Sequence, residues 1–118
     1  TLDRSILASF QLGDPESADR FVSHLVGQFL RDAAMHIREL RSAADCGDPD
    51  RLQANAHTLR GAASTIGAFK LAGLCRQMER HAARTRNPVV LSALTNAIDR
   101  EFTRVRAALG SDTTGNEL

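Results

Sequence analysis

His57 combines a nucleophilic side chain with open surroundings. Arg60 follows it one helical turn later, and Gly61 comes next. A neutral, exposed imidazole offers a lone pair that can attack phosphorus and then hold the phosphoryl group. The Arg60 guanidinium can pair with phosphoryl oxygens, and the missing side chain at Gly61 lets a second protein bring its reacting group close. These residue types predict a phosphoryl-accepting histidine.

A helix must position this histidine, because the apolar residues of the segment 52–66 recur with helical periodicity. At about 100° per residue, they gather within an arc of roughly 80°. His57 lies about 140° from the centre of that arc, and Gly61, Ser64 and Ala68 lie within about 40° of His57. We therefore expect the imidazole to face solvent beside small residues. The apolar stripe that should face the core consists of Leu52, Ala56, Leu59, Ala63 and Ile66.

Turn and cap signals predict a short leading helix followed by four longer helices. Asp14 and Pro15 suit the start of a long helix that reaches about Cys46. The Gly-Asp-Pro sequence at 47–49 then suits the end of that helix and the N-cap of the histidine helix. The Asn-Pro pair at 87–88 should separate the last two helices.

Short connections between these helices require neighbouring helices to run antiparallel. We therefore predict an all-α fold, an antiparallel up-down four-helix bundle with a short extra N-terminal helix, over residues 1–110. Residues 111–118 have neither periodicity nor enough apolar surface to offset the entropy of ordering them, and we expect a disordered C-terminal tail. A chain of 118 residues has room for one such core and not for a second catalytic domain.

Composition excludes several classes of protein. The formal net charge is +1, and the aromatic residues are five Phe without Trp or Tyr, so the chain lacks the positive field and the stacking platforms of nucleic-acid-binding proteins. No segment has the length of a membrane helix or the pattern of a signal peptide, so we expect a soluble, cytoplasmic domain without direct membrane contact. Cys46 and Cys75 are isolated and should be free thiols.

The residues around His57 resemble the signature of the histidine phosphotransfer (HPt) domain family. That signature reads roughly His-x-Leu-Lys-Gly, followed by small residues and a second Gly. This chain has His57-Thr58-Leu59-Arg60-Gly61 and then Gly67, and the resemblance extends over residues 14–109. Arg60 stands where the family usually has Lys, which keeps the positive charge and changes the shape of the donor.

The resemblance implies a phosphorelay function in two-component signalling. His57 would accept a phosphoryl group from a receiver-domain aspartate and pass it to another receiver aspartate, with Arg60 stabilising the phosphoryl charge. The implied partners are response-regulator receiver domains and a sensor histidine kinase. The divalent metal would belong to the receiver, so no cofactor is expected in this chain.

The same sequence argues against kinase activity of its own. It lacks a Gly-rich phosphate loop and has no room for an ATP-binding domain. The first residue is Thr1 and not Met. We therefore expect a module excised from a hybrid sensor histidine kinase more than a stand-alone carrier, and such a module could form the cytoplasmic end of a membrane-bound kinase.

A set of small and apolar residues on or just beyond the His57 side of its helix forms the predicted docking surface for a partner. Ser64 could donate a hydrogen bond to a phosphoryl oxygen, or it could simply allow close approach. Phe69 could offer an apolar contact, or it could pack under the connection between two helices. The set consists of Gly61, Ser64, Gly67, Ala68 and Phe69.

Glu79, on the following helix, is a candidate for a hydrogen bond to the His57 ring. Such a bond would set which ring nitrogen keeps its proton. The alternative is a solvated carboxylate, or one paired with an arginine of its own helix.

Four arginines after the docking residues could steer an acidic partner or could form a solvated helix face. They are Arg76, Arg80, Arg84 and Arg86.

Three alternatives remain open. A docking bundle could keep the fold and bind a receiver or another partner protein without relaying phosphate. A metal-binding bundle is disfavoured, because no Glu-x-x-His pair and no Cys-x-x-Cys motif occurs. A structural dimerisation bundle would more naturally expose an apolar stripe than a histidine among glycines.

Overall fold

The computed structural model describes the backbone of residues 15–113, with side chains from residue 19 to residue 110. This part of the chain folds into four helices, which we name α1 (Pro15–Cys46), α2 (Pro49–Ile66), α3 (Phe69–Arg84) and α4 (Pro88–Thr113). The predicted leading helix and residues 114–118 lie outside the described residues. Between residues 15 and 113, no helix is long and apolar enough to cross a bilayer.

Capping residues set both ends of α2, the helix that carries His57. The Asp48 carboxylate accepts a hydrogen bond from the Arg51 N–H at 3.2 Å, and Pro49 occupies the first turn, where no N–H is needed. At the other end Gly67 has φ 85°, in the left-handed region that favours glycine, and its N–H donates to carbonyls of the last turn. Both ends agree with the predicted boundaries.

Neighbouring helices run antiparallel, which confirms the predicted up-down bundle. Between α1 and α4, Arg41 pairs with Asp99 at 3.1 Å, while Phe29 meets Phe102 with ring centroids 6.4 Å apart. Residue numbers therefore rise along one helix as they fall along the other. Helix α2 packs between α1 and α3, and α4 packs against α1 and α3. All four helices contribute to one apolar core, whose members include Phe29, Leu40, Leu52, Leu59, Met78, Ile98 and Leu109.

Helix α4 is longer than predicted and contains one buried charged side chain. It continues to Thr113, so residues 111–113 are helical and not part of a disordered tail. Their sequence contains no Pro or Gly that would end the helix. Glu101 is also buried, with 1% of its surface exposed. Its Oε1 lies 3.2 Å from Arg104 Nη1 and 3.8 Å from Lys70 Nζ, so two cations at the rim compensate the buried charge.

Candidate functional site

The His57 ring projects into solvent from the side of α2 opposite the core. Its side chain is 68% exposed. The predicted apolar stripe is the observed one, since all its members are buried: Leu52, Ala56, Leu59, Ala63 and Ile66. The amphipathic pattern of this helix is therefore sufficient to present the imidazole at the surface.

Glu79 on α3 lies within hydrogen-bond distance of the ring. Its Oε1 lies 2.9 Å from His57 Nδ1, although the two residues are 22 positions apart in the sequence. An ionised carboxylate can only accept hydrogen bonds, so the proton of a neutral imidazole must be on Nδ1, which donates it to Glu79. Of the alternatives left open for Glu79, the structure therefore contains the hydrogen bond to the His57 ring. It leaves the lone pair on Nε2, at the far side of the ring.

Arg60 joins His57 and Glu79 by pairing with the second oxygen of the Glu79 carboxylate. Arg60 Nε lies 2.6 Å from Glu79 Oε2, and the two side chains are 30% and 21% exposed. Both atoms are shielded from solvent, and neither makes a well-aligned hydrogen bond to any described residue, so the contact is an ion pair. Each oxygen of Glu79 therefore faces a different residue, Oε1 the imidazole and Oε2 the guanidinium.

The position of Arg60 adds to the role expected of it. Its Nη2 lies 3.1 Å from His57 Nδ1. Because Nδ1 carries the proton, the guanidinium sits beside that edge of the ring and cannot donate to it. A phosphoryl group on Nε2 would lie at the opposite edge. In the resting site, Arg60 therefore holds Glu79, a pairing that the sequence analysis did not anticipate.

The predicted docking residues separate into an exposed and a buried set. Gly61, Ser64 and Phe69 are exposed. Gly67 and Ala68, which were also predicted to contact a partner, are buried and offer it little surface; their contact with a partner stays a prediction. Their burial follows from the reversal of the chain, because the Ala68 N–H donates to a carbonyl of the last turn of α2 at 2.8 Å and holds the connection against the helix end.

Comparison with known proteins agrees with this geometry. The family model described as Hpt domain matches residues 24–108, which include all of α2 and α3. The chain belongs to the Hpt domain family. It is similar to the crystal structure of histidine-containing phosphotransfer protein B from Pseudomonas aeruginosa PAO1, with 32% sequence identity and a TM-score of 0.84, and the match covers 96% of this chain and 94% of that chain. No curated protein sequence matches the chain significantly.

Membership of the family confirms the function that the residue pattern predicts. Hpt domains perform histidine phosphotransfer in two-component phosphorelays, where they interact with receiver domains and kinases. The antiparallel bundle supplies what this chemistry needs, namely a rigid helix that presents a histidine to a partner.

Other reactive groups in this Hpt domain are unsuited to the same chemistry. Burial, and to a smaller extent the Glu79 carboxylate, raise the pKa of the Cys75 thiol to about 12, although Arg60 acts in the opposite direction. This thiol stays protonated near neutral pH and is a poor nucleophile. In the part of the chain that the structure describes, no group of three or more His, Cys, Asp or Glu side chains could hold a metal ion.

Proposed function

We propose that His57 is the phosphoryl-carrying residue of this Hpt domain and that Nε2 is the atom that carries the group. The observation behind the proposal is the hydrogen bond from Nδ1 to Glu79, which leaves the lone pair on the opposite nitrogen. Nε2 attacks the phosphorus of a receiver phospho-aspartate in line with the leaving carboxylate oxygen. The N–P bond forms as the P–O bond breaks, and the carboxylate oxygen keeps the electron pair. The reverse step passes the group to a second receiver.

Glu79 compensates charge during this step. A neutral imidazole that keeps its proton on Nδ1 becomes positively charged when Nε2 bonds to phosphorus. The carboxylate, 2.9 Å from Nδ1, faces that developing charge without having to move. Glu79 is therefore a positioning residue before transfer and an electrostatic partner of the ring during transfer.

Arg60 has two roles in the proposal. Before transfer it holds the second oxygen of Glu79. Its Nη2 group lies beside the ring, and a rotation of the guanidinium turns it toward phosphoryl oxygens on Nε2. A planar guanidinium can keep one N–H on a carboxylate while another faces a phosphoryl oxygen, which a compact ammonium group does less readily. Arginine suits both roles for this reason.

The partners in the proposal are response-regulator receiver domains and a sensor histidine kinase of the same parent chain. The receiver supplies the aspartate and the divalent metal, so this chain contributes positioning and charge and no cofactor. Gly61, Ser64 and Phe69 are the exposed docking residues. The lack of a side chain at Gly61 permits close approach of the receiver.

The test is phosphoryl transfer from an isolated, phosphorylated receiver domain to the wild-type chain and to His57→Gln. We expect an acid-labile, base-stable phosphate on His57 Nε2 of the wild type, located by mass spectrometry and phosphorus NMR, and none on the variant. Because the side chain is 68% exposed, the variant should keep its free energy of unfolding within about 0.5 kcal/mol. His24→Gln, at another exposed histidine, is the matched control and should accept phosphate normally.

Two outcomes would contradict the proposal. Phosphate on a residue other than His57 would assign the carrier role elsewhere. Receiver binding without any transfer would favour the non-relaying docking bundle.

A further inference from the structure

Positive charge is concentrated on α3, the helix that supplies Glu79. Residues 69–86 contain five basic side chains and one acidic one, a net charge of +4, whereas the formal net charge of the whole chain is +1. Lys70 pairs with buried Glu101 at 3.8 Å, and Glu79 pairs with Arg60. The remaining cations of this segment, which we call the basic ridge, are Arg76, Arg80, Arg84 and Arg86.

The basic ridge is available to a partner. All its side chains are exposed, and no ion pair joins them to any residue that the structure describes. Arg76, Arg80 and Arg84 follow one another at intervals of four, so they lie along one side of α3. Like charges at this spacing repel one another. A negatively charged partner would relieve that repulsion.

A groove connects the basic ridge with the His57 side of α2. Its volume is about 470 Å³, and it lies between the first turn of α2 and the end of α3. Gln53 in one wall is one helical turn before His57 on the same side of α2. Arg84 and Arg86 line the other wall. The groove therefore continues the surface on which His57 is exposed.

A protein docked on His57 can extend over this groove. A specific protein interface covers about 800 Å² on each partner, which is far more than one exposed helical turn. Arg84 is five residues beyond Glu79 on α3, which corresponds to about 7.5 Å at the rise of a helix. We propose that the basic ridge is an electrostatic docking surface for an acidic segment of the receiver domain that exchanges phosphate with His57. This inference rests on the proposed phosphotransfer function.

The physical role of such a surface is to bring the receiver in quickly and in one orientation. Complementary charges raise the association rate and fix the orientation more than they change the reaction in the bound complex. The ridge lies to one side of His57, so it distinguishes one orientation of the receiver from the others. Its effect should weaken with salt, because the Debye length falls from about 10 Å at 0.1 M to about 3 Å at 1 M.

The test compares Arg80→Glu/Arg84→Glu with Arg31→Glu/Arg38→Glu, two variants with the same change in net charge. The control arginines are exposed on α1, and Arg38 lines the groove between α1 and α4, away from α3. The probe is an isolated receiver domain, phosphorylated on its aspartate, that transfers phosphate to the wild-type chain. Circular dichroism and thermal unfolding establish that both variants are folded.

We expect the ridge variant to lose about tenfold in the second-order rate constant of transfer at low salt. The difference should shrink to less than about twofold at 0.5 M salt. The first-order rate at receiver saturation should stay at the wild-type value. Phosphorylation by phosphoramidate, a small donor that needs no docking surface, should also be unchanged. The α1 variant should resemble the wild type throughout.

Equal losses in both double variants, or no loss in either, would overturn the docking surface, because position on the molecule would then not matter. A loss that persists at high salt, at receiver saturation or with phosphoramidate would also overturn it, since the ridge would then act on folding or on the reaction itself. Failure of the proposed function has a different signature. The wild-type chain would then take no phosphate from any receiver at His57.

Discussion

Arg60 and Glu79 form a partly buried ion pair, with Nε and Oε2 2.6 Å apart, and the other oxygen of the same carboxylate accepts the proton of His57. The residues come from α2 and α3, so the contact between Glu79 and the His57 ring depends on how these two helices pack. The same carboxylate thus links the stability of the helix pair to the tautomer of the histidine. Substitutions of Glu79 should therefore change the transfer reaction without removing the acceptor.

Removal of the Glu79 carboxylate should slow the transfer step itself. We expect Glu79→Ala to lower the first-order rate at receiver saturation by about 10–100-fold, the order of magnitude for loss of a group that orients a reactive histidine. Glu79→Gln keeps an acceptor for Nδ1–H and should lose less. Rapid-quench kinetics measure the rate, and nitrogen-15 NMR of the ring measures the fraction protonated on Nδ1. Wild-type kinetics and an unchanged tautomer in Glu79→Ala would contradict the positioning role. The control variant is Glu39→Ala, which removes a carboxylate from α1 instead of α3.

Gly61→Ala should stabilise the fold and hinder docking. A Cβ at this position would meet nothing within 4 Å, and alanine in a helix is favoured over glycine by about 0.5–1 kcal/mol. Gly27→Ala in α1 should show a similar gain, since its Cβ would contact only Arg31 Nη1 at 3.4 Å. Urea denaturation measures both gains. The affinity for the receiver should fall only for the variants at Gly61, and it should fall most for Gly61→Leu. If Gly61→Leu bound the receiver as tightly as the wild type, close approach would not need the glycine.

The two cysteines should differ in reactivity. Cys46 is exposed and Cys75 is buried, so a disulfide reagent at pH 8 should modify the first quickly and the second only after unfolding.

The free energy of unfolding should also depend on pH, because the unfolded Cys75 thiol ionises near its ordinary pKa of 9.0 and the folded one near a pKa of about 12. Between these values the folded state binds more protons, so the free energy of unfolding falls as pH rises. Cys75→Ala should lack this part of the decline in the free energy of unfolding. A pH profile identical to that of the wild type would contradict the predicted contribution of Cys75.

Arg104→Ala should destabilise the fold through Glu101. The substitution leaves the buried carboxylate with Lys70, 3.8 Å away, as its remaining cation, and we expect a cost of about 1–3 kcal/mol. In the Glu101→Gln background the same change should cost little, because no buried charge remains. Urea denaturation of the four proteins gives the coupling energy. A coupling energy near zero would show that Arg104 does not compensate the buried charge.

Features that depend on one helix could be predicted from the sequence. The exposure of His57 follows from the apolar stripe of α2, and the helix ends follow from Asp48 and Gly67, since periodicity and capping are local properties. The Arg60–Glu79 pair could not be predicted in the same way. It depends on the axial register between two helices, which the pattern of neither helix contains.

Ala68 and Glu101 show two further limits. The helical wheel placed Ala68 beside His57, but the left-handed Gly67 ends the helix first, so the wheel does not apply to Ala68. Glu101 lies on the same side of α4 as Ile98 and Val105, three residues before and four residues after it. Its position in the apolar stripe was the available signal. The burial of Glu101 was not predicted, because charged side chains are generally expected to be exposed.

The connection between α2 and α3 consists of Gly67 and Ala68, and both are buried. An added residue here would displace the start of α3, and one added within α3 before Glu79 would turn the carboxylate by about 100° around the helix axis. The connection at 85–87, between α3 and α4, supplies none of the contacts that join His57, Arg60 and Glu79. Insertions and deletions in related sequences should therefore occur at 85–87 and be absent between His57 and Glu79. The interval of 22 positions between His57 and Glu79 should therefore identify this type of site in related sequences, whatever residues lie between the two.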